Sequence, residues 1–154
     1  MKFMSLKSAA GFTFIELLIV ISIIAVMSTL AMNNYRDSQK QYAVYTAAQR
    51  LTADLRRAQN MALSGKTQGA LVPGLYGVSI LSAGQYKIFY GLSDGSSGTV
   101  ETITLDDVTL SPIGTGVYFT SPASTPSGSQ TFTIVNGSYS KGVTVDAGGS
   151  ISIN

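Results

Sequence analysis

Residues 11–16 read Gly11-Phe12-Thr13-Phe14-Ile15-Glu16, and an apolar run from Leu17 to Met32 follows them, interrupted only by small hydroxyl residues. The 20 residues from 12 to 31 would form a helix of about 30 Å, which matches the hydrocarbon core of a bilayer. Glu16 is the only charged residue in this span. Because a carboxylate at mid-bilayer costs about 2.5 to 3.5 kcal/mol, we interpret Glu16 as functional and expect a cationic partner for it.

The candidate partner is an amine that proteolysis would create. The nearest other charges, Lys2 and Lys7, lie in a short leader that ends at Gly11. Cleavage between Gly11 and Phe12 would give Phe12 a free ammonium group, and Glu16 would lie four residues further on, near the positive end of the helix dipole. The two groups could satisfy each other within one chain, or the amine of one subunit could pair with Glu16 of a staggered neighbour.

The leader ending in Gly11, followed by Phe12-Thr13-Phe14-Ile15-Glu16-Leu17-Leu18-Ile19-Val20, resembles the class III signal of type IV pilins and type II secretion pseudopilins. The resemblance implies that a prepilin peptidase cuts between Gly11 and Phe12 and N-methylates Phe12, and that Glu16 governs subunit docking. The implied partners are other pilins or pseudopilins in a helical filament, the peptidase, and the inner membrane before assembly.

The N-terminal region has two alternatives to the pilin-type signal. A secretory signal peptide could end at the small-x-small sequence Thr29-Leu30-Ala31, but such signals have a charge-free apolar stretch of about 7 to 15 residues, whereas this one is longer and begins with Glu16. The second alternative is a single-span anchor that is not processed.

The helical pattern continues beyond the apolar run, without Pro or Gly, from Phe12 through Ser64, and Gly65 is a stop signal. An apolar row with helical spacing marks the distal half and predicts packing on the strands that follow. Its members are Ala47, Leu51, Leu55, Ala58 and Ala62.

Short β-prone runs separated by Gly, Ser, Asp and Pro begin after residue 71 and predict antiparallel sheet. Turns are predicted at Ala83-Gly84, Asn136-Gly137 and 147–149. The predicted strands are Tyr76 to Leu81, Tyr86 to Tyr90, Thr99 to Leu105, Val117 to Thr120, Thr131 to Val135, Val143 to Val145 and Ile151 to Ile153.

The predicted fold class is α+β, with a long N-terminal helix whose first half spans the membrane, packed on an antiparallel β-sheet head domain. We divide the chain into a cleaved leader (1–11), a transmembrane and filament-core helix (12–32), a helix continuing into the head (33–65) and the β head domain (66–154). Low-complexity loops are expected at 93–98 and 121–129. The positive-inside rule places Lys2 and Lys7 in the cytoplasm and the head outside it, on a single-pass inner-membrane protein.

Composition argues against catalysis and against nucleic-acid binding. The chain has no Cys and no His, so the usual bases, thiol nucleophiles and zinc ligand sets are missing, and we predict no enzymatic activity and no cofactor. Asp106-Asp107 is interpreted as a turn. Two of the ten Lys and Arg precede Phe12, which leaves eight basic against eight acidic residues and makes nucleic acid an improbable partner.

Two weaker hypotheses concern the head. Asp94 and Glu101 supply oxygen ligands in and beside a flexible loop and are weak calcium candidates, although the loop lacks a calcium-binding motif. The many Tyr and Phe residues could stack on bases, but core or intersubunit packing is favoured.

A finer resemblance concerns residues 51–62 and the strand and turn order of 131–153, which are similar to H-type minor pseudopilins and FimT-type minor pilins. This chain departs from relatives by having no cation in its tail, Gly148 to Asn154, no Cys pair, and Asn33-Asn34 where a proline is common. The sequence thus indicates a structural subunit, and a minor one, of a type II secretion pseudopilus or type IV pilus. The alternative is a DNA-binding minor pilin for DNA uptake.

Overall fold

A computed structural model describes residues 12–92 and 96–154, with the backbone alone at 30–34. The chain divides into two compact units, Met1–Ser38 and Gln39–Asn154. The helix α1 (Phe14–Leu63) begins in the first unit and supplies one wall of the second. The predicted leader, including Gly11, and residues 93–95 lie outside the described residues.

The helix ends as the sequence predicts. Gly65 adopts a positive φ of 57°, its N–H donates to the Ala62 carbonyl, and the Lys66 N–H donates to the Met61 carbonyl. This pair of bonds is the Schellman arrangement, in which glycine takes the left-handed conformation and the last carbonyls of the helix are satisfied. The observed helix is shorter than the predicted one by two residues at its start and one at its end.

Among the described residues, nine strands follow the helix, and every pairing between them is antiparallel. Their bounds are β1 Leu75–Ser82, β2 Gln85–Gly91, β3 Ser97–Thr104, β4 Thr109–Ser111, β5 Gly116–Thr120, β6 Thr125–Pro126, β7 Gln130–Asn136, β8 Tyr139–Val145 and β9 Ile151–Ile153.

The strands form two sheets. One sheet has the order β3-β2-β1-β5-β6 and the other has the order β4-β7-β8-β9. The hairpins at Ala83-Gly84 and Asn136-Gly137 occur where they are predicted, with Ser82 opposite Gln85 and Asn136 opposite Tyr139. In the first sheet β1 and β5 approach closely at Gly77, where an added Cβ would lie 2.4 Å from the Val117 carbonyl oxygen.

One hydrophobic core joins the helix to both sheets. The predicted apolar row of α1 is buried throughout, and Val44, Ala48 and Met61 extend it. Inward side chains alternate along the strands, as expected for sheets that bury one face. The largest buried side chains from the two sheets are Tyr76, Tyr86, Phe119, Phe132, Ile80, Ile88, Leu110 and Ile134.

The predicted α+β class with an antiparallel head is confirmed, and all seven predicted strands are present. Two strands were missed. The three-residue β4 is too short to show a clear alternation. The strand β6 lies within the predicted 121–129 loop, and its Pro126 argues against a strand in the sequence, although proline is tolerated at the edge of a sheet. The predicted 93–98 loop also extends two residues too far, because β3 begins at Ser97.

Candidate assembly site

The first turn of α1 is capped by Thr13. The Glu16 N–H donates to Thr13 Oγ1 at 3.3 Å and to the Thr13 carbonyl oxygen at 3.1 Å, and the Leu17 N–H donates to the same carbonyl at 3.2 Å. Thr13 therefore occupies the N-cap position and Glu16 the N3 position, where a carboxylate interacts favourably with the helix dipole. The cap fixes the first turn, so the Glu16 carboxylate is held close to the start of the helix.

Phe12 precedes the cap and is 79% exposed, and Glu16 is also exposed. The two predicted docking residues are thus brought to the same end of the helix, with accessible side chains. Gly11, the third predicted processing residue, lies outside the described residues.

The helix surface that follows is apolar on all sides. Every side chain from residue 12 to residue 29 is exposed, including Phe14, Ile15, Leu17 and Met27. A helix that is hydrophobic all round is stable only when lipid or other protein surrounds it. This part of α1 therefore requires apolar surroundings that the first unit does not supply among its described residues.

The hydroxyl groups within this surface are turned back onto the helix. Ser22 Oγ donates to the Leu18 carbonyl and Ser28 Oγ to the Ile24 carbonyl, both at 2.7 Å. Thr29 Oγ1 donates to the Val26 carbonyl, also at 2.7 Å. These bonds remove the cost of bringing a hydroxyl into apolar surroundings. Between residues 14 and 29, the Glu16 carboxylate is consequently the group that still requires a partner from outside the helix.

None of the helix within the described residues is long and apolar enough to cross a membrane. The predicted membrane span over residues 12–32 is therefore not confirmed.

Of the two calcium candidates of the head, only Glu101 lies within the described residues. Glu101 Oε2 accepts a hydrogen bond from Arg57 Nη1 at 2.7 Å, in an ion pair whose side chains are about half exposed. Asp94 lies outside the described residues. Over residues 12–92 and 96–154, no cluster of three or more carboxylate, His or Cys side chains could hold a metal.

A second polar contact joins the helix to the first sheet. Tyr86 Oη donates to Asp54 Oδ2 at 2.6 Å, and the Tyr86 ring is buried. Burial raises the pKa of Tyr86 well above its ordinary value, and the neighbouring Asp54 carboxylate raises it further. Both causes favour the neutral phenol, so this contact is a structural hydrogen bond between a neutral donor and a carboxylate.

The other sequence hypotheses have mixed outcomes. Asp106 and Asp107 are both exposed in a bend between β3 and β4, and Asp107 has a positive φ of 61°, which agrees with the predicted turn.

Many aromatic side chains fill the core, as the sequence hypothesis favoured. Others are at least two-fifths exposed, namely Tyr35, Tyr42, Tyr45 and Tyr118.

Comparison with known proteins supports the N-terminal resemblance. Residues 6–32 match a family model described as the prokaryotic N-terminal methylation motif. The chain therefore carries the type IV pilin signal that its sequence suggests, while the finer assignment to a subgroup is not confirmed. No curated protein and no solved structure matches the chain.

The capping role of Thr13 was not predicted from the sequence. The signal was present, because Thr13 and Glu16 have the Thr-x-x-Glu spacing of a capping box. Glu16 was expected to need a partner and to lie near the positive end of the helix dipole, and its position in the first turn also depends on the residue three positions before it.

Proposed function

We propose that this protein is a structural subunit, and a minor one, of a type II secretion pseudopilus or a type IV pilus. The observation that carries the proposal is the methylation motif at residues 6–32, which suggests a pilin-like subunit and not an enzyme. The exposed apolar surface of residues 12–29 supports it, because such a surface must be covered by lipid before assembly and by neighbouring helices afterwards.

The proposed sequence of events begins at the inner membrane. Lys2 and Lys7 stay in the cytoplasm, the apolar part of α1 inserts as a single span, and the head lies on the opposite side. Prepilin peptidase then cleaves between Gly11 and Phe12, and the new amine of Phe12 is methylated. Extraction into a filament exchanges lipid contacts for helix contacts, so little apolar burial is lost.

The chemical basis of docking is charge neutralisation. After cleavage, Phe12 carries an ammonium group and Glu16 a carboxylate, both at the capped end of the helix. When the amine of one subunit meets Glu16 of its neighbour, two charges that are costly in apolar surroundings form one pair. The pair also fixes the axial register between subunits.

The test replaces Glu16 in the full chain, in cells that carry the assembly machinery. We expect Glu16→Val and Glu16→Gln to insert and to be processed, since both keep the cleavage site, but to enter sheared filaments at least tenfold less, because the amine of the neighbour is left unpaired. Glu101→Gln, which removes an exposed carboxylate from the head, is the matched control and should assemble normally.

Two outcomes would contradict the proposal. One is normal incorporation of both Glu16 variants into filaments. The other is a mature chain whose first residue, by mass spectrometry or Edman sequencing, is not Phe12. As a further check on processing, a bulky replacement of Gly11 should leave a heavier, unprocessed precursor.

The DNA-binding alternative is tested by a gel-shift titration on the detergent-solubilised full chain. The C-terminal tail from Gly148 has no cation, and Arg57 is engaged with Glu101, so we expect only weak retention of duplex DNA. Tight binding that falls steeply with salt would favour the alternative.

A further inference from the structure

A groove lies between the helix and the last strand of the second sheet. Its helical wall is a single face, because Gln49, Thr52, Ala53 and Arg56 are spaced by three, one and three residues. Its other wall is β9 (Ile151–Ile153). Beyond the groove, Gln59 Nε2 donates to the Gly149 carbonyl at 3.1 Å and ties the helix to the turn before β9.

The backbone of β9 has hydrogen-bonding groups directed to its free edge. Gly142 and Asn154 exchange two bonds, at 3.2 and 2.8 Å, and the Asp146 N–H donates to the Ser150 carbonyl. In an antiparallel ladder the residues that bond to the neighbouring strand alternate with those that do not. Ile151 and Ile153 therefore direct their N–H and C=O groups away from β8, and no strand of the described residues covers that edge.

The helical wall contains a buried hydroxyl without a partner. Thr52 is 6% exposed, and its Oγ1 makes no hydrogen bond within the described residues. A buried hydroxyl that lacks a hydrogen bond is unfavourable, so its presence beside a groove points to a group that binds there.

The groove is lined by one basic side chain, that of Arg56. Arg56 is exposed and lines both this groove and a second one along the same helix, which also contains Arg57 and Lys66. An acidic group in the groove would meet Arg56 first, and the planar guanidinium can hold a carboxylate through two hydrogen bonds.

We propose that this groove binds an extended, acidic peptide segment of a partner protein, which adds a strand to the free edge of β9. The backbone of the segment would pair with Ile151 and Ile153, one polar group would bond to Thr52 Oγ1, and a carboxylate would pair with Arg56. Strand addition explains why β9 has neither a charge nor a proline, the residues that normally protect a sheet edge. The inference does not depend on filament assembly, because its residues all lie in the second unit.

The test uses the full chain in detergent micelles and a blocked pentapeptide of alternating threonine and valine with a central glutamate. Heteronuclear NMR titration gives the Kd, and hydrogen exchange reports on the backbone. We expect saturable binding with a Kd below about 1 mM, and slower exchange of the Ile151 and Ile153 amides when peptide is bound. The same peptide with a central glutamine should bind about tenfold more weakly, because it loses the charge-assisted bonds.

Variants of the groove and a matched control complete the experiment. Arg56→Gln should weaken binding of the glutamate peptide about tenfold, and Thr52→Val, which keeps the side-chain shape, should weaken it several-fold. Arg50→Gln removes an exposed arginine of the same helix that does not line this groove, and it should bind normally. Unchanged affinity in either groove variant, or unchanged exchange at the two isoleucines, would overturn the proposal. Displacement of the peptide by a DNA duplex in an Arg56-dependent manner would also overturn it in favour of a nucleic-acid site.

Discussion

At the scale of single residues, Asp54 and Tyr86 show how one polar contact is built into an apolar core. The phenol is buried among apolar side chains, and the half-buried Asp54 carboxylate of α1 accepts a hydrogen bond from its hydroxyl at 2.6 Å. A hydrogen bond to a charged group contributes about 1.5 to 3 kcal/mol, more than a neutral pair. The contact therefore both stabilises the packing of α1 on β2 and fixes the orientation of the helix there.

We predict that Tyr86→Phe destabilises the full chain by about 1.5 to 3 kcal/mol at neutral pH, because Asp54 loses its donor. Denaturant unfolding in detergent measures this. The pKa of Tyr86 is raised in the folded state, so the neutral phenol is favoured there, and this contribution is fully present below the unfolded pKa of about 10. It is lost as the pH rises above that value, because the unfolded chain then releases a proton that the folded chain retains.

The difference in unfolding free energy between wild type and Tyr86→Phe should therefore shrink between pH 9 and pH 11. Tyr42→Phe, which changes an exposed tyrosine of α1, is the control and should show no such dependence. A difference that stays constant with pH would show that the hydrogen bond is not the source of the effect.

At the scale of secondary-structure elements, the distal half of α1 is held by its apolar row. Leu55 is fully buried and Leu63, on the same helix, is 53% exposed. We predict that Leu55→Ala lowers the free energy of unfolding by about 2 to 5 kcal/mol, because it removes buried methyl groups and leaves a cavity. Leu63→Ala should cost less than about 1 kcal/mol. Equal effects in denaturant titrations would contradict the observed orientation of the helix.

The pairing of β1 with β5 depends on the absence of a side chain at Gly77. An added Cβ there would lie 2.4 Å from the Val117 carbonyl oxygen and 2.8 Å from the Tyr118 Cα, both backbone atoms that cannot move alone. We predict that Gly77→Ala destabilises the head by more than about 2 kcal/mol, measured by thermal unfolding. Gly148→Ala, where nothing lies within 4 Å of the new atom, is the control and should be nearly neutral.

These elements also show which parts of the fold were predictable from the sequence. The burial of Leu51 and Leu55 followed from spacing alone, since one helical face must pack on something. The strand β4 was not predictable, because three residues carry too little alternation, and its pairing with β7 is a long-range event. The division into two sheets was missed for the same reason, since local patterns specify strands and not the neighbours they choose.

Some residues of the candidate sites were recognisable from the sequence and others were not. Glu16 and Phe12 were recognisable, because a lone charge in an apolar run is unusual in any context. The groove at Thr52 was not recognisable, because a threonine in a helix gives no sign that tertiary packing will leave its hydroxyl buried without a partner. The Arg57–Glu101 ion pair was not recognisable either, because Arg57 lies 44 positions earlier in the chain and reaches Glu101 only once the fold has formed.

At the scale of the whole molecule, the second unit contains the entire described core. The buried hydrophobic residues run from Val44 to Val145, all within Gln39–Asn154. We predict that a fragment beginning at Gln39 folds cooperatively and remains soluble, as circular dichroism and urea titration would show. A fragment beginning at Gln49 lacks Val44, Ala47 and Ala48, and it should be less stable by about 2 to 4 kcal/mol. Aggregation of both fragments would show that the first unit is needed for folding.

The hydroxyls of Ser22, Ser28 and Thr29, each satisfied by a carbonyl of its own helix, have a mechanical consequence. Two such helices in contact would form no side-chain hydrogen bonds with each other along residues 17–29. Sliding one helix past the other would therefore exchange one set of dispersion contacts for an equivalent set. A bundle of these helices would therefore extend under tension by gradual sliding of one helix past another. The resistance would be concentrated at one point, the capped first turn that bears Glu16.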